Sequence, residues 1–147
     1  METHTVLFVD DEEVVLRSIE RGFLEEPYKK LFAIGGDEAL EVMQQEEVHV
    51  VVTDMRMPGM DGLELIQTIR EKYPDIVRIV LSGYARTSSL MIAIYKEGIF
   101  EFVPKPWKLA DFKQVVRNAI EHYENNREHK KTETEFEQCS TPGESAG

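Results

Sequence analysis

Short β-branched runs alternate along the chain with longer stretches in which apolar residues recur every three or four positions. The runs are TVLFV (5–9), KLFAI (30–34), VHVVVT (48–53), IVRIVL (76–81) and IFEFV (99–103). Between them the spacing predicts helices over about 12–24, 36–46, 61–72 and 85–97, with a fifth from about 108. Five strands alternating with five helices predict an α/β domain with a parallel sheet covered on both faces. The third run is almost unbroken in apolar residues, as a central strand buried on both sides should be, and it ends at Asp54.

The punctuation agrees with this division. Gly35 and Gly36 separate the second strand from a helix opened by Asp37. Pro58, Gly59 and Gly62 crowd the turn after the third strand, Pro74 closes one helix and Gly98 another. In the last helix Phe112, Val115, Val116, Ala119, Ile120 and Tyr123 form one apolar stripe. Residues 4–124 therefore read as the domain, and 125–147 as a polar helical extension ending in a disordered tail. No apolar heptad continues there, so a coiled coil has little support, and no internal repeat is found.

Composition narrows the function. The 147 residues carry 17 Lys and Arg against 28 Asp and Glu, a formal charge of −11. Phosphate binding depends on Lys and Arg releasing counterions, so direct nucleic-acid binding by this chain is not expected. The single cysteine, Cys139, lies in the polar tail and excludes a disulfide framework or a cysteine-rich zinc site. No apolar run approaches the length of a membrane helix, and the first residues do not read as a leader. The expectation is a cytoplasmic protein without membrane insertion.

In an open parallel sheet, ligands collect beyond the carboxyl ends of the strands. Asp10 and Asp11 end the first predicted strand, Asp54 the third and Ser82 the fourth, and Lys105 follows the fifth, so all five face one rim. Converging carboxylates repel one another and invite a cation; hard oxygen ligands with open positions suit Mg²⁺. A metal, a carboxylate nucleophile, a hydroxyl and a lysine make a site for phosphoryl transfer in which Asp54 becomes an acyl phosphate while Ser82 and Lys105 bind the phosphoryl oxygens. Glu12 and Glu13 complement the dipole at the start of the first helix, with Glu12 also a candidate for a water-mediated contact to the metal.

The elements VDDEE, VVTDMRMPGMDG, LSGYA and FVPKPW, in that order and over roughly residues 4–124, resemble the receiver domain of two-component response regulators. The resemblance implies a CheY-like, flavodoxin-like (βα)5 three-layer sandwich whose five-stranded parallel sheet has the order 2-1-3-4-5. It implies that Asp54 is the phosphoacceptor, and that Asp11 binds magnesium directly and Asp10 largely through water. The backbone carbonyl of Arg56 and Asp54 itself complete the metal ligands, and manganese can take magnesium's place. Ser82 takes the position of the switch hydroxyl, Lys105 that of the phosphate-binding lysine and Phe102 that of the aromatic switch. The Lys105–Pro106 bond is implied to be cis, which proline makes accessible. Arg56 and Tyr84 hold positions that tune phosphoryl lifetime. The implied partners are a sensor histidine kinase or histidine phosphotransfer protein as donor, and a downstream protein read by the face of the fourth helix, fifth strand and fifth helix. A homodimer through that same face is also implied. The chain reads as a phosphoaccepting signalling domain rather than an enzyme, stand-alone in preference to a fragment of a larger regulator.

Other readings compete residue by residue. A haloacid dehalogenase-like phosphatase also uses an aspartyl nucleophile and magnesium, but places the nucleophile after the first strand in D-x-D; here the candidate is on the third. A binding module whose pocket has lost its switch is a further alternative. Taken alone, Asp54 could start a turn, Ser82 could cap a helix and Phe102 could be core. Trp107 reads equally as a binding hot spot or as packing for the last helix. Met55, Met57 and Met60 read as solvated packing around the acceptor loop. His4, His49, His122 and His129 are scattered in sequence and read as structural.

Overall fold

The computed structural model describes residues 1–83, 96 and 98–146, the last helix by its backbone alone from residue 129. The helix expected over 85–97, but for residue 96, and Tyr84 lie outside the described residues. The elements run β1 (Thr5–Val9), α1 (Glu13–Gly22), β2 (Lys29–Ala33), α2 (Gly36–Gln45), β3 (Val50–Asp54), α3 (Gly62–Lys72), β4 (Val77–Ser82), β5 (Glu101–Pro104) and a C-terminal helix, Leu109–Ala146. The five strands form one parallel sheet in the order β2-β1-β3-β4-β5. The strand order reverses beside β1, so a crevice opens between the ends of β1 and β3.

Alternating side chains send each strand's residues to opposite faces. Val6, Phe8, Val50, Val52, Ile79 and Leu81 pack with Leu16 and Ile19 of α1 and with Phe112, Val116, Ala119 and Ile120 of the C-terminal helix. Leu7, Val9 and Val51 face the other way, onto Ala39 and Met43 of α2 and Leu65 and Ile69 of α3. Phe8, Phe23 and Phe112 are fully buried and meet edge to face, with centroids 4.8 Å apart for Phe23 and Phe112, which locks α1 to the C-terminal helix.

Local chemistry sets the boundaries. Glu12 is the N-cap of α1 with Glu13 in its first turn, where negative charge complements the dipole. Asp61 caps α3, its carboxylate accepting from the Glu64 amide at 2.9 Å. Gly35 and Gly59 hold backbone φ values of +139° and +74°, conformations that a β-carbon disfavours. α2 begins one residue earlier than Asp37, at Gly36, because Gly35 makes the turn.

The backbone of the C-terminal helix continues to Ala146, through the stretch that reads in sequence as an extension with a disordered end. Among the described side chains past Tyr123 none joins the core clusters, and pairs run along the helix surface, His122 with Asn126 at 3.2 Å and Arg127 with Glu124 at 3.4 Å.

A candidate acidic site at the sheet's carboxyl rim

Three backbone bonds extend the ladders past the strand ends and fix the rim. The Asp10 amide donates to the Ala33 carbonyl at 3.2 Å, that of Met55 to Leu81 at 3.1 Å and that of Lys105 to Ser82 at 2.9 Å. Asp10, Asp54, Ser82 and Lys105 are thereby held by sheet geometry rather than by loose loops. Beyond Asp54 the chain turns through Pro58 and Gly59 and comes back so that the Gly62 amide donates to the Met55 carbonyl at 3.0 Å. A β-carbon on Gly62 would stand 2.9 Å from the Met55 Cα. This glycine belongs to a close backbone crossing as well as to a turn.

One carboxylate oxygen from each of Asp10, Asp11 and Asp54 lies within 4.8 Å of the other two. Two unit charges at that separation repel by roughly 3 kcal/mol at an effective dielectric near 20. One cation stands among them: Lys105 Nζ is 2.9 Å from Asp54 Oδ1 and 3.5 Å from Asp10 Oδ2. The Lys105–Pro106 peptide that follows is cis.

Asp10 is almost wholly buried, and burial pushes its carboxyl above the usual carboxylate range against the pull of the Glu12 amide on Oδ1 and of Lys105. Its Oδ2 accepts no hydrogen bond. For Lys105, burial would lower the ammonium's affinity for its proton, but the hydrogen bond and charge of Asp54 and the negative charge of Asp10 outweigh it, so the pKa rises and the lysine stays charged. The cluster is left with more negative charge than its lysine neutralises and with a buried carboxylate oxygen lacking a donor. That donor set fits a hard divalent cation. On Asp54 both the Met55 amide, at 3.0 Å, and Lys105 fall on Oδ1. Its Oδ2 carries neither contact.

Ser82 ends β4, buried, and is in register with Pro104, while Val80 is in register with Phe102. The two-residue period puts Ser82 and Phe102 on one face of the sheet. Phe102 is half-buried there against Ile66, Val80 and Ile99, with Met55 packed on the same group. Arg56 is exposed on the loop after Asp54.

Several side chains sit differently from their sequence reading. Trp107 packs onto Phe112, with centroids 5.1 Å apart, which favours the packing role over an exposed hot spot. Met57 is buried in the α2/α3 core, with Met60 packed on it, so these methionines anchor the loop after Asp54 from inside instead of being solvated. The histidines are not all scattered: His4 and His49 meet at the opposite, amino-terminal pole of the sheet, 5.2 Å between centroids, beside Tyr123. Register between β1 and β3 creates that pair, and nothing in the local sequence signals it.

A sequence model of the family described as response regulator receiver domain matches residues 6–117. The hydrogenase transcriptional regulatory protein HoxA of Cupriavidus necator is 37% identical over 117 residues, covering 80% of this chain and 24% of that protein. The DNA-binding transcriptional regulator NtrC of Escherichia coli is 29% identical over 128 residues, covering 87% of this chain and 27% of that protein. The chain thus spans about a quarter of the length of these relatives. Among solved structures, the signal receiver domain of an HD domain-containing protein from Pseudomonas fluorescens superposes with a TM-score of 0.79 at 30% identity, over 84% of this chain and 98% of that one. No helix among the described residues is long and apolar enough to cross a membrane.

Proposed function

Because the chain belongs to the response regulator receiver domain family, we propose that it accepts a phosphoryl group on Asp54 from a phosphohistidine of a sensor histidine kinase or histidine phosphotransfer protein, and relays that event to a downstream protein. The observation that carries this reading is Lys105 Nζ spanning Asp54 Oδ1 and Asp10 Oδ2 while Asp54 Oδ2 stays free of both contacts on that carboxylate. Asp54 Oδ2 attacks the phosphorus, the P–N bond breaks with its electron pair left on the donor imidazole, and the phosphoryl group remains as an aspartyl phosphate. Water later returns it as inorganic phosphate. The chain acts on itself in this chemistry and is a signalling domain rather than a turnover enzyme.

Asp10, Asp11, Asp54 and the backbone carbonyl of Arg56 are the residues that would hold magnesium, or manganese in its place; when bound, the ion supplies positive charge facing the phosphoryl oxygens. Lys105 orients Asp54 beforehand and turns its ammonium to a phosphoryl oxygen afterwards. Ser82 supplies a hydroxyl to the same group. Phe102, two residues from Ser82's register partner and on Ser82's face of the sheet, follows that movement inward and reshapes the surface of β5 and the C-terminal helix. Arg56, exposed on the loop after Asp54, tunes the lifetime of the phosphoryl group, and Tyr84 is assigned the same role from its place in the sequence alone. The whole-protein activities of HoxA and NtrC suggest a target in transcriptional control, with DNA contact made by a module other than this acidic domain.

The test is phosphotransfer from labelled histidine kinases to wild-type chain and to Asp54→Asn, with magnesium present. Label is expected on wild type alone and is expected to vanish with chelator. Wild-type-level labelling of Asp54→Asn would overturn the assignment.

A further inference from the structure

The amino-terminal pole of the sheet holds a second titratable cluster, on the far side of the domain from Asp54. His49, immediately before β3, is buried. Its Nδ1 accepts the Thr5 backbone amide at 2.9 Å, so the neutral ring carries its proton on Nε2, which faces Glu47 Oε1 at 3.2 Å. The adjoining His4, also buried, places Nε2 2.6 Å from Glu124 Oε1 on the C-terminal helix and leaves Nδ1 without a partner. Tyr123 closes the triangle, its ring 4.8 Å from that of His49 and 6.2 Å from that of His4. Arg127 contacts Glu124 from the helix side, and Lys29 of β2, whose amide donates to the His4 carbonyl at 2.9 Å, pairs with Glu46 just past α2. The carboxylates of Glu47 and Asp75 also act on Tyr123.

We propose that this cluster is a proton-operated latch in which His49, when neutral, holds the C-terminal helix beyond Ile120 to the amino-terminal pole of the sheet, and, when protonated, releases it. The bond between Thr5 and His49 exists only with a lone pair on Nδ1. A proton there sets N–H against N–H, and the buried ring must turn, leaving the edge-on contact with Tyr123. His4 responds in the other sense at Nε2, because its pairing with Glu124 strengthens on protonation. Its own Nδ1–H would then be buried without an acceptor, with a second imidazolium beside it. The hydrogen bond from His4 holds the Glu124 carboxyl below the usual range, so Glu124 remains a carboxylate opposite His4. The device therefore turns on His49. Phe112, Val116, Ala119 and Ile120 remain in the core, so release is confined to the part of the helix that leaves the domain.

Hydrogen exchange on the whole chain tests this, reading the amides of residues 121–128 at about pH 7.5 and about pH 5.5 after correction for intrinsic rates. Protection of these amides is expected to fall about tenfold in acid while those of residues 50–53 hold; in His49→Gln, whose side-chain oxygen accepts from Thr5 and does not titrate, the fall is expected to disappear. Equal loss in His49→Gln and wild type, or none in wild type, overturns the latch. Should the variant fold poorly, imidazole nitrogen shifts of wild type decide. His49 is expected as the Nε2–H tautomer at the higher pH, becoming imidazolium in step with the loss of protection, and its protonation without that loss overturns the proposal.

Discussion

A β-carbon placed on Gly62 would lie 2.1 Å from the backbone carbonyl oxygen of Asp54. The obstacle is backbone, not the tip of a flexible side chain, so Gly62→Ala has to move either α3 or the end of β3. Overpacking of this kind costs about 1–3 kcal/mol, sometimes more. The expected outcome is a lower urea midpoint together with slowed phosphoryl uptake at Asp54, since the displaced strand end carries the acceptor. Urea unfolding and a phosphotransfer time course on the same preparation check both.

Magnesium should stabilise the chain, because the native carboxylate cluster binds it and the unfolded chain does not. Melting temperature at neutral pH is expected to rise with millimolar magnesium in wild type and to be insensitive in Asp10→Asn. That variant should also melt above wild type in the absence of metal, because burial, and with it the neighbouring charges of Asp54 and Asp11, disfavours the charged form of Asp10. Thermal scans with and without chelator separate the two effects.

Lys105→Ala removes the ammonium that pairs with both Asp54 and Asp10. Loss of a single preorganised charge stabiliser of this sort typically lowers rate by about a hundredfold or more. Phosphoryl uptake from a small-molecule phosphodonor is expected to fall by that order, with the far-ultraviolet circular dichroism unchanged. Equal rates would remove the lysine from the chemistry.

The strand ends were legible in advance because a parallel sheet makes them so. Once five apolar runs are recognised, Asp10, Asp54, Ser82 and Lys105 fall on one rim whatever the detailed packing. What stayed hidden depends on contacts between distant segments. The clash that demands glycine at position 62 arises from α3 crossing back over β3, and the burial of Met57 follows from the same crossing. Glu26 and Arg117 are 91 residues apart and belong to no motif. The pairing of His4 with His49 waits on the register that sets Val6 beside Val50.

Ser82 and Phe102 share a face through the register of β4 and β5, and coupling between them predicts a separable defect. Phe102→Ala should take up phosphoryl at close to the wild-type rate, since the ring lies outside the acidic cluster. Its amide shifts in β5 and the C-terminal helix should then respond much less to phosphorylation. Heteronuclear spectra recorded with and without phosphodonor provide the comparison; an undiminished response would take Phe102 out of the relay.

The loop after α1 is fastened to the C-terminal helix by Glu26, a buried carboxylate that Arg117 grips with both a 2.9 Å and a 2.7 Å hydrogen bond. The hydrogen bond from Arg117, against the opposing effect of burial, holds the Glu26 carboxyl below its ordinary value of 4.5. A carboxyl depressed in the folded state contributes stability that is present above its unfolded pKa and is lost as the pH falls through the folded one. Arg117→Met keeps the helix and much of the stem volume but leaves Glu26 buried without its partner, so the variant is expected to be clearly less stable than wild type at neutral pH. Protonating Glu26 relieves the variant and penalises wild type, so the gap between their urea midpoints should narrow as the pH is lowered below the ordinary carboxylate range. A gap that stayed constant across that range would show that the ion pair does not govern how this loop is held to the helix.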